Sequence, residues 1–189
     1  MTATTSPLDD LDFSHAFEGP AKAPESLKES SEAEKQEVTA GADELRDSGY
    51  FVNIARKAKR VAPLASRFSI LCVEDDPALL KILARKLTLD GYDVRTASDR
   101  ETIVAELQRQ PPPHLILLDV GLPGISGFDV LHKLRQHPKL GSTPVIMLTG
   151  HASPENVLQG MKGGADGYVS KPFQFDALTA AIEIVLGIR

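Results

Sequence analysis

Five short apolar runs alternate with helical patterns along the last two thirds of the chain. Each run is short enough for a strand that is buried on both faces. We predict strands over 69–73, 92–96, 115–119, 144–149 and 166–170. Helical spacing of apolar residues follows each one. Three of these helices have start signals, at Asp76-Pro77, a capping box of Ser98 and Glu101, and Ser153-Pro154, and the other two patterns begin at Phe128 and Phe175. Five strand–helix units in succession predict an α/β fold, with a parallel sheet and helices on both faces.

The first third of the chain has a different composition. Residues 1–49 are rich in Ser, Thr, Pro, Ala and Glu, and we predict an acidic, disordered tail there. Residues 50–67 form a basic amphipathic segment, for which we predict a short helix. This helix would dock on the body of the protein, on a partner or on an anionic surface; the alternative is an inert tether. The predicted division is therefore 1–49, 50–67 and a globular domain over 68–189.

Charge and composition narrow the class of protein. The net charge is −8 over residues 1–48, +5 over 49–67 and −2 over 68–189. No apolar run approaches the length of a membrane span, and the N-terminus lacks the pattern of a secretory signal. The single cysteine, Cys72, agrees with a reducing compartment. We expect a cytoplasmic protein without a membrane span.

The candidate chemistry lies at the carboxyl ends of the predicted strands. Glu74 and Asp75 follow the first strand, Asp119 ends the third, Thr149 ends the fourth and Lys171 follows the fifth. In open α/β sheets these ends form the ligand-binding edge. If the first and third strands are neighbours, three carboxylates meet and need a cation, for which all-oxygen ligands suit Mg²⁺. A hydroxyl and an ammonium suit a phosphoryl group, and Asp119 would be the carboxylate nucleophile.

Four ordered motifs carry a resemblance to a known family. They are Ile-Leu-Cys-Val-Glu-Asp-Asp-Pro at 70–77, Leu-Leu-Asp-Val-Gly-Leu-Pro-Gly-Ile-Ser-Gly-Phe at 117–128, Pro-Val-Ile-Met-Leu-Thr-Gly at 144–150 and Tyr-Val-Ser-Lys-Pro-Phe at 168–173. Together they resemble the receiver domain of two-component response regulators, over about residues 68–189. The resemblance implies a doubly wound, flavodoxin-like sheet of five parallel strands in the order 2-1-3-4-5.

The resemblance also implies a role for each candidate residue. Asp119 would be the phosphoacceptor, and Mg²⁺ would be held by Glu74, Asp75, Asp119 and the backbone carbonyl of Gly121. Thr149 would be the switch hydroxyl and Lys171 the phosphate-binding lysine, followed by a cis peptide bond to Pro172. Tyr168 would be the aromatic residue that turns inward on activation.

The implied function is a signalling switch rather than an enzyme. A histidine kinase or a histidine phosphotransfer protein would supply the phosphoryl group, and an unknown protein would be the downstream target. A phosphorylation-dependent homodimer is a further expectation. Because the last predicted helix ends close to Arg189, we expect no C-terminal output domain. We also expect DNA binding to be unlikely, since residues 50–66 carry no recognisable DNA-binding motif.

Two other functional classes share parts of this pattern. A phosphatase of the haloacid dehalogenase type also uses a strand-end aspartate, but it requires a second aspartate two residues later, where this chain has Gly121. A receiver-shaped interaction module usually lacks an acceptor, metal or lysine residue, and here all are present. Simpler roles also stay open: Asp119 as a loop cap, Thr149 as a turn residue, Lys171 as a surface lysine and Tyr168 as an ordinary aromatic residue.

Overall fold

The computed structural model describes residues 31–53, 67–150 and 153–188. The strands in these ranges are β1 (Tyr50–Val52), β2 (Ser69–Val73), β3 (Asp93–Ala97), β4 (Leu115–Asp119), β5 (Val145–Thr149) and β6 (Gly167–Ser170). The helices are α1 (Glu32–Ser48), α2 (Pro77–Leu89), α3 (Arg100–Gln108), α4 (Gly127–Gln136), α5 (Pro154–Gly163) and α6 (Phe175–Leu186). Within the described ranges, no helix is both long enough and apolar enough to cross a bilayer.

The strands form one sheet in the order β1-β6-β5-β4-β2-β3. Strands β2 to β6 pair in parallel, and β1 pairs antiparallel with β6. Counted from β2, the five parallel strands have the order 2-1-3-4-5. The predicted α/β fold is therefore confirmed, with β1 as an additional strand at one edge.

Alternating residues of the central strands belong to two separate apolar clusters. Along β4, Leu115 and Leu117 pack with α2 and α6, whereas Ile116 and Leu118 pack with α1, α3, α4 and α5. Successive side chains of a strand point to opposite faces, so a continuous apolar run fills both layers. Every residue of β2, β4 and β5 is buried. The sheet is thus a rigid support for whatever its carboxyl edge carries.

Side-chain caps determine where α2 and α3 begin. The Asp76 carboxylate accepts hydrogen bonds from the backbone N–H groups of Ala78 and Leu79, as the Asp-Pro pair predicts. At α3 the cap is Asp99, whose carboxylate accepts from Thr102 N–H while the Thr102 hydroxyl accepts from Asp99 N–H. The capping box predicted at Ser98 is therefore wrong by one residue, because threonine instead of glutamate closes it.

The N-terminal part of the chain departs most from the prediction. Residues predicted to belong to a disordered tail form the 17-residue helix α1, and residues 50–52, predicted to begin a basic helix, form the strand β1. The helix is stable because Val38, Ala42 and Leu45 are fully buried against the body of the domain. The strand is stable because β6 supplies its backbone partners. Residues 1–30 and 54–66 lie outside the described residues, and the predictions made for them stay predictions.

Candidate functional site

Asp119 lies between two neighbouring strands that carry other candidate residues. It is the last residue of β4 and pairs with Leu148 of β5, while Leu118 pairs with Val73 of β2. Glu74 directly follows Val73 and therefore emerges beside Asp119. Glu74, Asp75 and Asp119 each offer a carboxylate oxygen, and these atoms all lie within 4.8 Å of one another. The structure thus brings together the three carboxylates that the sequence placed at this edge.

Lys171 connects the acids across the sheet. Its Nζ atom lies 2.6 Å from Oε2 of Glu74 and 2.9 Å from Oδ1 of Asp119. The main chain before this side chain is held as well, since Lys171 N–H donates to the carbonyl of Thr149. The peptide bond from Lys171 to Pro172 is cis, which confirms that prediction. One ammonium group therefore faces two carboxylates at the end of the sheet.

Burial and neighbouring charges shift the pKa values of Glu74 and Lys171. Glu74 is only 1% exposed, and burial, reinforced by the charge of Asp119, raises its pKa although Lys171 acts against the shift. For Lys171, burial lowers the pKa, but its contacts with Glu74 and Asp119 outweigh burial and leave the pKa raised. The ammonium therefore stays charged, whereas the most buried acid is penalised for its charge. The site is short of positive charge.

The donor set of this site fits a hard divalent cation. All three groups present oxygen, the ligand that Mg²⁺ prefers, and the exposed Asp75 leaves a side open for water ligands. A second positive charge would also relieve the raised pKa of Glu74. Position 121 faces the acceptor, since a Cβ added there would lie 3.9 Å from Asp119 Oδ2. Because the residue is glycine, it places no side chain over that oxygen. The role predicted for the Gly121 carbonyl as a metal ligand stays a prediction.

Thr149 and Tyr168 lie on the two strands beyond Asp119. Thr149 ends β5, is 3% exposed and pairs with Ser170, the residue before Lys171. Tyr168 is turned inward and 1% exposed, with its hydroxyl group donating to the carbonyl of Val157 on α5. Tyr168 thus packs between β6 and α5. The three carboxylates lie elsewhere, at the carboxyl ends of β2 and β4. Its predicted switching stays a prediction.

Gly127, at the start of α4, is a residue that the sequence reasoning missed. An added Cβ would overlap the carbonyl oxygen of Asp119 and lie 2.9 Å from Cα of Val120. The backbone of α4 therefore packs directly on the backbone that carries the acceptor, and Gly127 N–H donates to the carbonyl of Val120. The Gly-Phe pair at the end of the motif over 117–128 is the available signal, and it falls where the sequence predicts only the end of a loop.

Comparison with known proteins decides the family. A model of the response regulator receiver domain matches residues 70–183. The chain belongs to this family. The helix α1 and the strand β1 precede the matched residues.

Many relatives of this receiver domain are named as regulators of transcription. It is 42% identical over 118 residues to the transcriptional regulatory protein AfsQ1 of Streptomyces coelicolor, covering 62% of this chain and 51% of that protein. It is 36% identical over 120 residues to RpaA of Synechocystis, a DNA-binding dual master transcriptional regulator, covering 62% of this chain and 48% of the relative. The chain thus matches about half the length of these relatives. Their names give no support to the expectation that DNA binding is unlikely.

Solved structures show the same fold. The chemotaxis protein CheY4 of Vibrio cholerae aligns with a TM-score of 0.61 and 30% identity, over 64% of this chain and 100% of that one. The BeF3-activated receiver domain of DrrB aligns with a TM-score of 0.56 and 33% identity, over 64% and 98% of the two chains. Receivers are generally signalling switches that accept a phosphoryl group, and this chain has the acidic pocket in which they generally bind Mg²⁺.

Proposed function

We propose that Asp119 accepts a phosphoryl group from a phosphohistidine of a histidine kinase or a histidine phosphotransfer protein. The observation that carries this proposal is the position of Lys171, whose ammonium lies 2.9 Å from Oδ1 of Asp119. An ammonium at this distance supplies the counter-charge for the oxygens of a phosphoryl group whose phosphorus is bonded to the other carboxylate oxygen of Asp119. The open space at Gly121 leaves the approach to that oxygen uncovered by a side chain.

The transfer needs one bond to form and one to break. A carboxylate oxygen of Asp119 bonds to phosphorus while the nitrogen–phosphorus bond of the donor histidine breaks, and the imidazole nitrogen keeps the electron pair. Lys171 and the hydroxyl of Thr149 hold oxygens of the transferred group. The product is an aspartyl phosphate, which carries more negative charge than the carboxylate it replaces. Lys171 is then the cation that holds this charge beside β6.

We propose Mg²⁺ as the cofactor, held by Glu74, Asp75, Asp119 and the carbonyl of Gly121. When bound, it neutralises charge that accumulates on the phosphoryl oxygens. The raised pKa of Glu74 supports a cation here, because this acid is penalised for its charge while Lys171 is its only described ion-pair partner. Asp75 is exposed, so the cation can keep water ligands.

The output that we propose is binding to another protein, with homodimerisation after phosphorylation as one form of it. An aspartyl phosphate changes charge at the carboxyl edge of the sheet, where Thr149 and Lys171 lie on two adjacent strand ends. Such a change can repack the surface over β5 and β6. The family membership supports this proposal, and the identity of the target is a question for binding experiments with the phosphorylated protein.

Phosphorylation of purified protein by a panel of sensor kinases, and by a small phosphodonor with Mg²⁺, tests the proposal. We expect base-labile label on the wild-type chain and no label on Asp119→Asn, which keeps the side-chain size but removes the nucleophile. Asp76→Asn is the matched control, since asparagine also caps α2 and should leave labelling unchanged. Undiminished base-labile label on Asp119→Asn would overturn the proposal.

A further inference from the structure

Two stacked aromatic rings join the N-terminal part of the chain to the receiver. Phe51 on β1 and Tyr168 on β6 are direct cross-strand partners, with ring centroids 6.0 Å apart and an interplanar angle of 23°. A Cβ on Gly41 of α1 would lie 3.0 Å from the Phe51 ring, and a Cβ on Gly160 of α5 would overlap the Tyr168 hydroxyl. The two rings therefore lie close against two helices, with a tight contact at Gly41 and no room for a Cβ at Gly160 unless Tyr168 moves.

We call α1 and β1 together the N-terminal unit (residues 32–52). Its buried apolar residues, Val38, Ala42, Leu45 and Phe51, lie in the same cluster as Tyr168 of β6 and the buried apolar residues of α5. A backbone ladder joins β1 to β6, and Asn53 N–H donates to the carbonyl of Asp166. On the surface, Lys162 of α5 lies 3.8 Å from Glu34 of α1. The N-terminal unit is thus docked on β6 and α5 through apolar packing and backbone hydrogen bonds. These contacts do not include Glu74, Asp75 or Asp119.

The same strand that receives the N-terminal unit ends at the candidate site. The carbonyl of Gly49 accepts hydrogen bonds from both the backbone N–H and the hydroxyl of Ser170, at 3.0 and 3.3 Å. The next residue is Lys171, whose N–H donates to Thr149 and whose ammonium contacts Glu74 and Asp119. The end of β6 is therefore held by β5 on one side and by the N-terminal unit on the other.

We propose that docking of the N-terminal unit and phosphorylation of Asp119 are positively coupled through β6. This proposal rests on the proposed function, since it requires a phosphoryl group on Asp119. A phosphoryl group held by Lys171 and Thr149 needs both residues at fixed positions, and the docked unit restricts the strand end on which Lys171 is carried. By thermodynamic reciprocity, the phosphoryl group then stabilises the docked unit to the same extent.

The coupling makes the N-terminal unit a regulatory element. A partner that pulls the unit away from β6 would loosen Ser170 and shorten the life of the aspartyl phosphate. A partner that binds the exposed side of α1 while the unit is docked would lengthen it. Phosphorylation of Asp119 would in turn change how firmly α1 is docked, so a partner that binds α1 would detect the phosphorylation state.

Amide hydrogen exchange on the full chain tests the coupling without any substitution near the unit. With Mg²⁺ and beryllofluoride as the phosphoryl mimic, we expect exchange across residues 32–52 to slow by about fivefold or more, the lower range of ordinary coupling energies. Asp119→Asn should show no such slowing, because the mimic has no carboxylate to bind. Unchanged exchange of residues 32–52 in the wild-type chain, with the mimic bound, would overturn the proposal.

The lifetime of the aspartyl phosphate gives a second test, in which the N-terminal unit is altered and the phosphorylated site is measured. Phe51→Ala removes one ring of the stack, and Gly41→Val drives a side chain into that ring, so both should shorten the lifetime by about fivefold or more. Ala40→Val, at the exposed neighbouring position of α1, is the matched control and should keep the wild-type lifetime. If the wild-type chain takes up label and both Phe51→Ala and Gly41→Val keep its lifetime, the coupling is overturned and the proposed function stands. If the wild-type chain takes up no label, the proposed function and the coupling are both overturned.

Discussion

The ammonium of Lys171 lies 2.6 Å from a carboxylate oxygen of Glu74, the most buried acid of the site. The same ammonium lies 2.9 Å from Asp119. Lys171 therefore compensates part of the negative charge of Glu74 and Asp119, and any cation that enters must compete with it for these carboxylates.

Removal of the Lys171 charge should separate metal binding from phosphoryl binding. In Lys171→Met we expect Mg²⁺ affinity to rise by about tenfold, since a hydrogen bond to a charged group contributes about 1.5–3 kcal/mol and no longer competes for the carboxylates. Phosphoryl uptake by Asp119 should fall. Calorimetric titration with Mg²⁺ measures the first effect, and Lys86→Met, which changes a partly exposed lysine paired with Asp90, is the control. Weaker Mg²⁺ binding in Lys171→Met would contradict this prediction.

Removal of the Glu74 charge should stabilise the metal-free protein. Its folded pKa is raised even with Lys171 beside it, so the ionised form costs folding free energy. The contribution of Glu74 is most favourable below its ordinary pKa of 4.5 and is lost as the pH rises through the raised value. Urea unfolding in the presence of a chelator should therefore show a gain for Glu74→Gln that grows with pH above 4.5 and then levels off. The exposed Glu101→Gln is the control, and a loss of stability in Glu74→Gln at neutral pH would count against the argument.

Two buried histidines should make the fold sensitive to mild acid. Nδ1 of His114 accepts from Ser69 N–H, and Nδ1 of His137 accepts from Leu140 N–H. Burial lowers the pKa of both, assisted by Arg95 and Lys139 respectively, so their contribution to stability is complete above pH 6.5 and is lost as the pH falls below it.

The test for the histidines uses asparagine, whose carbonyl oxygen can replace Nδ1 as an acceptor but does not titrate. The double variant His114→Asn with His137→Asn should lose most of the decline in urea midpoint between pH 6.5 and pH 5. The exposed His132→Asn should keep it. An unchanged decline in the double variant would show that other groups cause it.

Arg135 of α4 and Asp166, the residue before β6, form a largely buried ion pair. Arg135 Nη2 lies 2.8 Å from Asp166 Oδ2, and Arg135 also donates to the carbonyls of Gly164 and Thr143. Arg135→Met leaves the carboxylate of Asp166 buried, so we expect a loss of about 3–5 kcal/mol of unfolding free energy. Arg109→Met, which breaks the more exposed pair with Glu106, should cost less than about 1 kcal/mol. Equal losses in chemical unfolding of the two variants would contradict the prediction.

Packing of α4 on the acceptor strand gives a further stability test. In Gly127→Ala the added methyl group would overlap the carbonyl of Asp119, and we expect a cost of about 1–3 kcal/mol together with slower phosphorylation. Gly121→Ala places its methyl group 3.9 Å from Asp119 Oδ2, an ordinary contact, and is the matched control for the unfolding measurement. Chemical unfolding and labelling by a small phosphodonor measure the two effects. Wild-type values for Gly127→Ala would show that α4 can move away without cost.

The sequence predicted the five parallel strands because their signal is local. β2 and β4 have the predicted ends, whereas β3 is displaced by one residue, since its apolar pattern is broken by Arg95 and Thr96 on an edge. The order of the strands came from the resemblance to a family. The four strand-end residues around Asp119 were accessible from the sequence because parallel strands place their carboxyl ends on one side.

The N-terminal unit could not be predicted from composition. Only a narrow line of small or medium side chains is buried on α1, namely Val38, Gly41, Ala42 and Leu45, and charged residues surround it. A local signal did exist: Ser31 accepts a hydrogen bond from Glu34 N–H, and Gly49 ends the helix with φ of 77°. The strand β1 has three residues, too few to show a period, and its partner β6 lies more than 110 residues later in the chain.

The strand β1 also bears on how the receiver can be studied in isolation. A protein trimmed to residues 70–183, the range matched by the family, would lose β1 and leave one side of β6 without its backbone partners. It would also lose Phe51, the ring that covers Tyr168. Unpaired strand edges next to apolar surface are templates for pairing between molecules, so such a fragment should self-associate in solution. Its oligomerisation would then report a cut edge of the sheet rather than a response to phosphate.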